Sequence, residues 1–261
     1  MTPTIQALFR YPIKGLTPER LRSIPLTPGH GVPHDRRFAI TNGGWAFDPA
    51  QATPRPKTDY LMLLLHEDLA HLDARFDDVT NTVVVRSPDG SMAQAALHDT
   101  DALQAVADFV ATHCGKPLPG RPRLIQHPEL RFTDASVASP QLMHAISVIN
   151  LASLRELERV AGITLDIRRF RANIYYNGLQ PWEEHNWIGQ DVGLGPITAH
   201  GLQRIRRCAA TNVNPSTAQR DVGIPQLLLK HFGHTDLGVY LSVQSAGTLT
   251  LGDPVRGPTP I

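Results

Sequence analysis

Residues 237–251, LGVYLSVQSAGTLTL, contain two of the runs that decide the fold class of this chain. The runs 237–243 and 248–251 are short and rich in β-branched or apolar residues, which predicts β-strands. Similar runs occur elsewhere in the chain, and turn formers such as Asn42-Gly43 and Pro88-Asp89-Gly90 flank them. Those further predicted strands are residues 4–9, 37–41, 82–86, 145–149 and 174–176.

Two longer segments have helical spacing of their apolar residues. Residues 101–113 place apolar side chains on one face, and residues 151–161 do the same between Asn150 and Gly162. A shorter helix is predicted over residues 226–231. The 20 Gly and 22 Pro are scattered along the chain, which disfavours a helical bundle. We therefore predict a mostly β (α+β) fold with a few short helices.

The composition excludes several classes of protein. The chain has 261 residues, 41% of them hydrophobic, and a formal net charge of +1, so no global field directs it towards nucleic acid. No stretch approaches the roughly 20 apolar residues that span a bilayer. The start of the chain lacks the order of a secretory signal, and two cysteines do not suggest a disulfide framework. We predict a cytoplasmic protein that binds neither membrane nor nucleic acid.

The basic residues are unevenly chosen, with 21 Arg and only four Lys. Arginine offers a planar fork that grips phosphate or carboxylate by two contacts, so the bias favours anion recognition. A GC-rich genome explains the overall count equally well. The arginine bias therefore indicates an anion-binding site only where several arginines lie close together.

Familiar signatures of other enzymes fail in this sequence. There is no P-loop and no Gly-x-Ser-x-Gly elbow. His66 and His71 flank a stretch one residue longer than the zinc-protease motif allows. Five residues turn the second side chain about 140° from the first on a helix, so the two histidines cannot share a metal ion there.

Residues 204–215, RIRRCAATNVNP, are the most informative segment for chemistry, because three arginines lie within four residues of Cys208. Nearby positive charge favours the thiolate, which binds metals or attacks electrophiles. A buried structural cysteine at a strand end is the usual state of a free thiol. This segment alone leaves both interpretations open. Cys114 has no basic neighbour beyond Lys116, and we predict a structural role for it.

Several blocks over about the last 100 residues resemble the MOSC domain family. They resemble the family patterns R-F-R-x-N-I, P-[FWY]-x-E-x-x-W, R-C-x-x-T-x-[VI]-[DN]-P and F-G-x-Y…G-x-[IL]-x-x-G-D-x-V, with Leu237 in place of the Phe of the last pattern. The matching stretches are residues 169–174, 181–187, 207–215, 237–240 and 247–255. Each block is weak by itself, but their common order makes the resemblance specific.

The N-terminal half carries matching blocks. Residues 11–15, YPIKG, resemble the Y-P-[IV]-K-[SG] opening of the N-terminal β-barrel domain that accompanies this family, and residues 31–38 resemble its G-x-x-x-D-R-x-[FW] block. The resemblance implies the architecture of the YcbX-like and mitochondrial amidoxime-reducing proteins. That architecture is a MOSC N-terminal β-barrel-like domain, residues 1–120, and a C-terminal MOSC β-barrel domain, residues 121–261. The Pro-rich stretch 117–128 is the predicted linker.

The resemblance implies a molybdenum cofactor (Mo-molybdopterin). Cys208 matches the cysteine whose sulfur ligates molybdenum, so we expect it to be both the metal ligand and the catalytic residue. Asn150, Ala152 and Ser153 lie at a predicted helix start, where free N–H groups suit a phosphate. Arg37, Arg168 and Arg169 are nearby cations to which no family motif assigns a role. The expected cofactor-binding residues are Lys14, Gly15, Arg36, Asn150, Ala152, Ser153, Arg171, Asn173 and Thr211.

The resemblance also implies an activity, the reduction of small N-hydroxylated compounds. Some relatives append a ferredoxin domain, whereas here the final block ends shortly before Ile261, so we expect electrons from a separate flavoprotein or iron–sulfur protein. The alternative is a sulfur carrier that uses a Cys208 persulfide in cofactor assembly. A third option is a cofactor-binding module without catalysis. Residues 47–65 are irregular and Pro-rich where many relatives carry an R-x-x-P-x-L block, so this loop departs from the family pattern.

Overall fold

A computed structural model describes residues 2–258, and it confirms a mostly β fold with a few helices. The strands are β1 (Thr4–Arg10), β2 (Glu19–Leu21), β3 (Ser23–Leu26), β4 (Phe38–Ile40), β5 (Asp73–Asp77), β6 (Thr82–Arg86), β7 (Met92–Ala96), β8 (Leu124–Gln126), β9 (Ile146–Asn150), β10 (Ile174–Asn177), β11 (Asp191–Leu194), β12 (Ile197–Arg206), β13 (Asp236–Val243), β14 (Gly247–Thr250) and β15 (Val255–Arg256). The α-helices are α1 (Thr100–Ala111), α2 (Pro140–Met143), α3 (Leu151–Ala161) and α4 (Ile224–Phe232).

The largest sheet runs in the order β15-β11-β12-β13-β9-β10-β1-β2. Its neighbouring strands are antiparallel except β9 and β10, which are parallel and joined by α3. Parallel neighbours need a crossover connection, and a helix is the usual one. The α3 crossover therefore sets a helix against the outside of the sheet.

The first strand curls round to meet the last segment of the described chain. The Ile5 N–H donates to Asp253 O at 2.9 Å, and the Gly252 N–H donates to Ile5 O at 2.9 Å. The Val255 N–H donates to Pro3 O at 2.8 Å. These bonds join the start of β1 to the edge that carries β15, so the sheet closes on itself at this end. Closure satisfies backbone groups that an open edge would expose.

Apolar side chains fill the inside of the curled sheet because alternate residues of each strand point inward. On β13, Val239, Leu241 and Val243 alternate in this way and are buried with Trp187. The outer face is covered by α3 and α4, whose buried side chains pack against β1 and β10. The members of that outer core include Leu154, Leu157, Tyr175, Ile224 and Leu228.

The N-terminal half adds a smaller antiparallel sheet, β5-β6-β7, on which α1 packs. Strands of the two halves also pair with each other: β1 with β10, β3 with β14, and β4 with β8. Part of the linker prediction is wrong, because Leu124–Gln126 is the strand β8, paired with Phe38–Ile40. The division into domains at residue 120 stays a prediction.

The predicted strands and helices all occur, with ends that differ from the predicted ends by up to two residues. The elements that the pattern missed include β12, the longest strand, and the short strands β2, β3 and β15. In residues 2–258, no helix combines the length and the apolar character that crossing a membrane requires.

A substitution at Gly201 on β12 tests the close approach of this strand to the backbone of Trp187. A Cβ added at Gly201 would lie 1.9 Å from Trp187 O. The next residue, Ile188, forms a parallel β-bridge with Gly201, so the two backbones are in close contact. We expect Gly201→Ala to lower the free energy of unfolding by about 3 kcal/mol, because the two backbones would have to separate. Gly193→Ala is the matched control, since its Cβ would only touch the Arg256 side chain at 3.4 Å. Urea unfolding of both variants measures this, and equal losses would contradict the close approach.

Candidate functional site

A cleft opens where loops of the N-terminal half meet the end of β12. Its walls are strongly basic. Two carboxylates, Asp35 and Asp134, accompany seven cationic side chains. The cationic residues are Lys14, Lys57, Arg36, Arg169, Arg171, Arg206 and Arg207. An excess of positive charge in a partly desolvated cleft attracts an anionic ligand.

Cys208 lies in this cleft just after β12. It is half-buried and begins a single 3-10 turn, Ala209–Asn212. The Thr211 hydroxyl and the Thr211 N–H both donate to Cys208 O, at 2.8 and 3.0 Å, which fixes the backbone at the cysteine. Lys57 Nζ lies 3.5 Å from Cys208 Sγ. The thiol therefore faces the cleft beside an ammonium group.

Asp134 lies between two lysines in the same cleft. The buried Lys14 donates to Phe132 O at 3.1 Å and contacts the Asp134 carboxylate, while Lys57 Nζ lies 3.4 Å from the other carboxylate oxygen. Burial raises the pKa of Asp134, but Lys14 and Lys57 outweigh it and hold that pKa at about 2. Burial lowers the pKa of Lys14, although Asp134 opposes this effect. Asp134 is thus the internal counterion of the two lysines.

Arg36 and Arg171 both lie close to one aromatic ring. Their guanidinium carbons are 4.2 and 4.5 Å from the centre of the Tyr11 ring. Arg36 pairs with Asp35 at 2.5 Å and donates to Arg171 O at 2.7 Å. Arg171 donates to Leu16 O at 2.6 Å. Burial, with repulsion from Arg36, lowers the pKa of Arg171 to about 10, so both groups stay charged at neutral pH.

Backbone oxygens hold another buried arginine of the cleft. Arg207 donates to Leu237 O at 2.9 Å and to Phe170 O at 2.8 Å. A carbonyl satisfies the N–H groups without neutralising the charge. Asn173 also lines the cleft, and its side-chain oxygen accepts from the Ser147 hydroxyl at 2.8 Å.

Seven of the ten predicted site residues line this cleft: Lys14, Gly15, Arg36, Arg171, Asn173, Cys208 and Thr211. The structure therefore brings together residues from distant parts of the chain. Gly15 has φ +85°, and a Cβ there would lie 2.8 Å from Leu61 O. This close approach of two backbones explains a glycine next to Lys14.

The other three predicted residues, at the start of α3, lie outside the cleft. The Asn150 side chain accepts from the Ala152 N–H at 3.0 Å and donates to Gln180 O at 2.7 Å. The Ser153 hydroxyl donates to the fully buried Glu184 at 2.8 Å. These polar groups already have partners within the chain. A part for them in cofactor binding stays a prediction that the cleft does not support.

Sequence reasoning missed Lys57, Asp134, Ser147 and Tyr240, which also line the cleft. One signal was available, since the chain has only four lysines and two of them meet at Asp134. Of the three unassigned arginines, Arg169 lines the cleft but is paired with Asp221, and Arg168 is paired with Asp166. Arg37 faces a different pocket.

The donor set fits an anionic group that contains a soft metal. One thiol sulfur faces the cleft, and soft thiolate ligands suit a metal already bound by sulfur. The lysines and arginines around it suit a phosphate, which arginine binds by paired hydrogen bonds. These side chains come from segments that the barrel and the N-terminal sheet hold in place.

Two family models match this chain. The MOSC domain matches residues 123–256, and the MOSC N-terminal beta barrel domain matches residues 2–117. The chain belongs to the MOSC domain family.

Individual relatives are distant. Mitochondrial amidoxime-reducing component 1 of Mus musculus is 22% identical over 97% of this chain and 81% of its own length. Mitochondrial amidoxime reducing component 2 of Bos taurus is 29% identical over 42% of this chain and 36% of its own length. Molybdenum cofactor sulfurase of Caenorhabditis elegans is 27% identical over 87% of this chain, which spans 31% of that protein. Two of these three matches thus span only about a third of the relative.

A solved structure of the YUAD protein from Bacillus subtilis covers 98% of this chain and 94% of its own, with 12% identity and a TM-score of 0.46. That score is too low to carry an argument. The assignment to the family depends on the two matched domains.

The Lys57 contact predicts the reactivity of the two cysteines. In the cofactor-free protein, we expect iodoacetamide to alkylate Cys208 faster than Cys114, because burial and Asp68 raise the pKa of Cys114 to about 11. We expect Lys57→Gln to slow alkylation of Cys208 roughly three- to tenfold by removing the ammonium group beside the sulfur. Peptide mass spectrometry against time measures both rates. The exposed Lys116→Gln is the control, and an equal slowing there would disprove a local effect.

Glu184 predicts a pH-dependent stability. Burial raises its pKa from 4.5 to about 7, and its Oε1 has no hydrogen-bond partner in the described part of the chain. The unfolded chain loses this proton near pH 4.5 and the folded chain near pH 7, so rising pH between these values destabilises the fold. We expect Glu184→Gln to gain stability relative to the natural chain over this window, by about 3 kcal/mol.

Urea unfolding at pH 5 and pH 8 measures this difference. The surface variant Glu156→Gln on α3 is the control, and its difference from the natural chain should stay nearly constant with pH. A Glu184→Gln difference that is also constant would mean that the carboxyl group titrates at its ordinary value.

Proposed function

We propose that this chain binds a molybdenum cofactor of the pterin type in the basic cleft and reduces N-hydroxylated compounds. The observation that carries the proposal is the single cysteine, Cys208, facing a cleft with an excess of five positive charges. The distant amidoxime-reducing relatives support the reaction class, and the molybdenum cofactor sulfurase supports the cofactor class.

In this proposal, each group of side chains has a separate task. Cys208 supplies the sulfur ligand to the metal. Arg171 and Arg36 bind the anionic end of the pterin, since Arg171 has only a carbonyl partner and the cleft has more cations than carboxylates. Lys14 contributes a further cation when the ligand competes with Asp134 for it. When bound, the cofactor supplies the two electrons of the reduction.

The reduction of an N-hydroxylated compound consumes two electrons and two protons and releases water. Lys57 holds protons on Nζ, 3.5 Å from the sulfur of Cys208. Burial lowers its pKa, but Asp134 and Cys208 outweigh this and raise it, so the group is protonated at neutral pH. We therefore expect Lys57 to stay a cation that donates a hydrogen bond to the substrate, while the two protons come from solvent water. Electrons come, in this proposal, from a separate flavoprotein or iron–sulfur protein in the cytoplasm.

A sulfur carrier is the second candidate. Here Cys208 bears a persulfide and passes its outer sulfur on. The ammonium group of Lys57 beside Cys208 Sγ favours this candidate as well, because it would stabilise a terminal sulfur anion. The nematode relative, matched over 87% of this chain, supports it.

Metal analysis separates the two candidates. Purified from a host that makes the cofactor, the natural chain should contain nearly one molybdenum and one pterin per protein. We expect Cys208→Ser to lose at least nine-tenths of the molybdenum, because the variant lacks the thiolate that would bind a metal already held by sulfur. Cys114→Ser, the matched control, should keep all of it, since Cys114 lies outside the cleft.

Activity is measured with a reducing dye and an N-hydroxylated test compound. Full molybdenum and full activity in Cys208→Ser would overturn both candidates. A natural chain that lacks molybdenum, yet carries cyanide-labile sulfur on Cys208, would favour the carrier.

A further inference from the structure

A second basic pocket lies outside the cleft and belongs to no part of the proposed reaction. Its lining residues are His34, Arg37, Gln126, His127, Pro128 and Arg131. None of these is acidic. The pocket shares a wall with the cleft, because Arg36 and Phe132 line the cleft while their sequence neighbours Arg37 and Arg131 line this pocket.

The two arginines of this pocket are unusual for the chain. Eight of the 21 arginines are buried or half-buried. Four of these form ion pairs with carboxylates: Arg10, Arg36, Arg168 and Arg169. Among residues 2–258, the four without such a pair are Arg171 and Arg207 in the cleft and Arg37 and Arg131 here. Burying like charges without a counterion costs free energy, which an anion would recover.

The contacts of Arg37 hold its guanidinium group in place without neutralising the positive charge. Its guanidinium donates to His34 Nδ1 and to Gln126 Oε1, both at 3.2 Å, and stacks 4.9 Å from the centre of the Phe76 ring. Burial, with repulsion from Arg131, lowers the pKa of Arg37. The positive charge is therefore fixed next to a second positive charge.

Arg131 and His127 add further donors. Arg131 donates to Leu130 O at 3.0 Å and to Pro128 O at 3.4 Å, and both acceptors are uncharged. His127 Nδ1 accepts from the Glu129 N–H at 3.2 Å, so its proton lies on Nε2. Two carboxylates act on the pocket from outside its lining. Asp35 partly offsets the lowering of the Arg131 pKa by burial, and Asp78 lies 3.8 Å from His34 Nε2 and 3.7 Å from Arg10.

We propose that this second pocket binds a phosphate group, as inorganic phosphate or as a phosphate monoester. Two arginine forks and an imidazole N–H surround a concave site, which suits a tetrahedral dianion better than a single carboxylate. The site is independent of the cofactor and of Cys208.

Histidine NMR tests this site directly. The ring-proton resonances of His34 and His127 are followed while inorganic phosphate, and separately phenyl phosphate, is added at constant pH and ionic strength. In the natural chain, we expect both histidines to shift with saturation. The double variant Arg37→Gln/Arg131→Gln should need at least tenfold more phosphate for the same shift. Tighter binding of phenyl phosphate would identify a monoester as the ligand, and equal binding would identify free phosphate.

Two controls isolate the pocket. Arg155→Gln/Arg159→Gln changes the charge equally on the exposed face of α3 and should bind as the natural chain does. Cys208→Ser should also bind normally, so failure of the proposed function would leave this result intact. If the double variant does not fold, Arg131→Lys keeps the charge but loses the fork, and its binding should weaken several-fold. Shifts that do not saturate, or that are equal in the pocket variants and the natural chain, would overturn the proposal.

Discussion

The cleft depends on the stack of Arg36, Tyr11 and Arg171. The guanidinium carbons of both arginines lie within 4.5 Å of the centre of one buried phenol ring. A ring face attracts a cation without cancelling its charge. Burial raises the pKa of Tyr11 to about 12 although the arginines oppose it, so the ring stays neutral. This stack joins the end of β1 to the segment before β10, and thus joins the two halves of the chain at the site.

The cations of the cleft are compensated in two different ways. Arg171 and Arg207 use backbone oxygens, whereas Lys14 and Lys57 share the carboxylate of Asp134. Carbonyl partners satisfy hydrogen bonds but leave net charge, so the cleft keeps a strong positive potential. Such an arrangement is costly for the isolated chain and favourable once an anion binds. The electrostatics of the cleft therefore follow from how its charges are held, and Cys208 is a thiol within it.

Many of the strands and helices could be predicted from the sequence because their patterns are local. Strands such as β6 and β13 carry buried apolar residues at alternate positions, and α3 has Asn150 and Gly162 at its ends, so local patterns suffice. The strand β12 escaped because Gly201 occupies an inward position and Arg204 and Arg206 point to solvent. A glycine there is explained only by the Trp187 backbone against it, which no local pattern reveals.

The fold class, the family motifs and the cysteine among arginines can be recognised in the sequence, because alternation, capping and motif spacing are local properties. Which polar residues share a surface depends on the tertiary structure. It placed Lys57 and Asp134 beside the predicted residues and set the start of α3 apart, where Ser153 is bound to Glu184. It also directed the side chain of Arg36 into the cleft and that of Arg37 into the second pocket. Side-chain direction depends on the packing of distant segments, since closing the barrel fixes both the position and the partners of each charge.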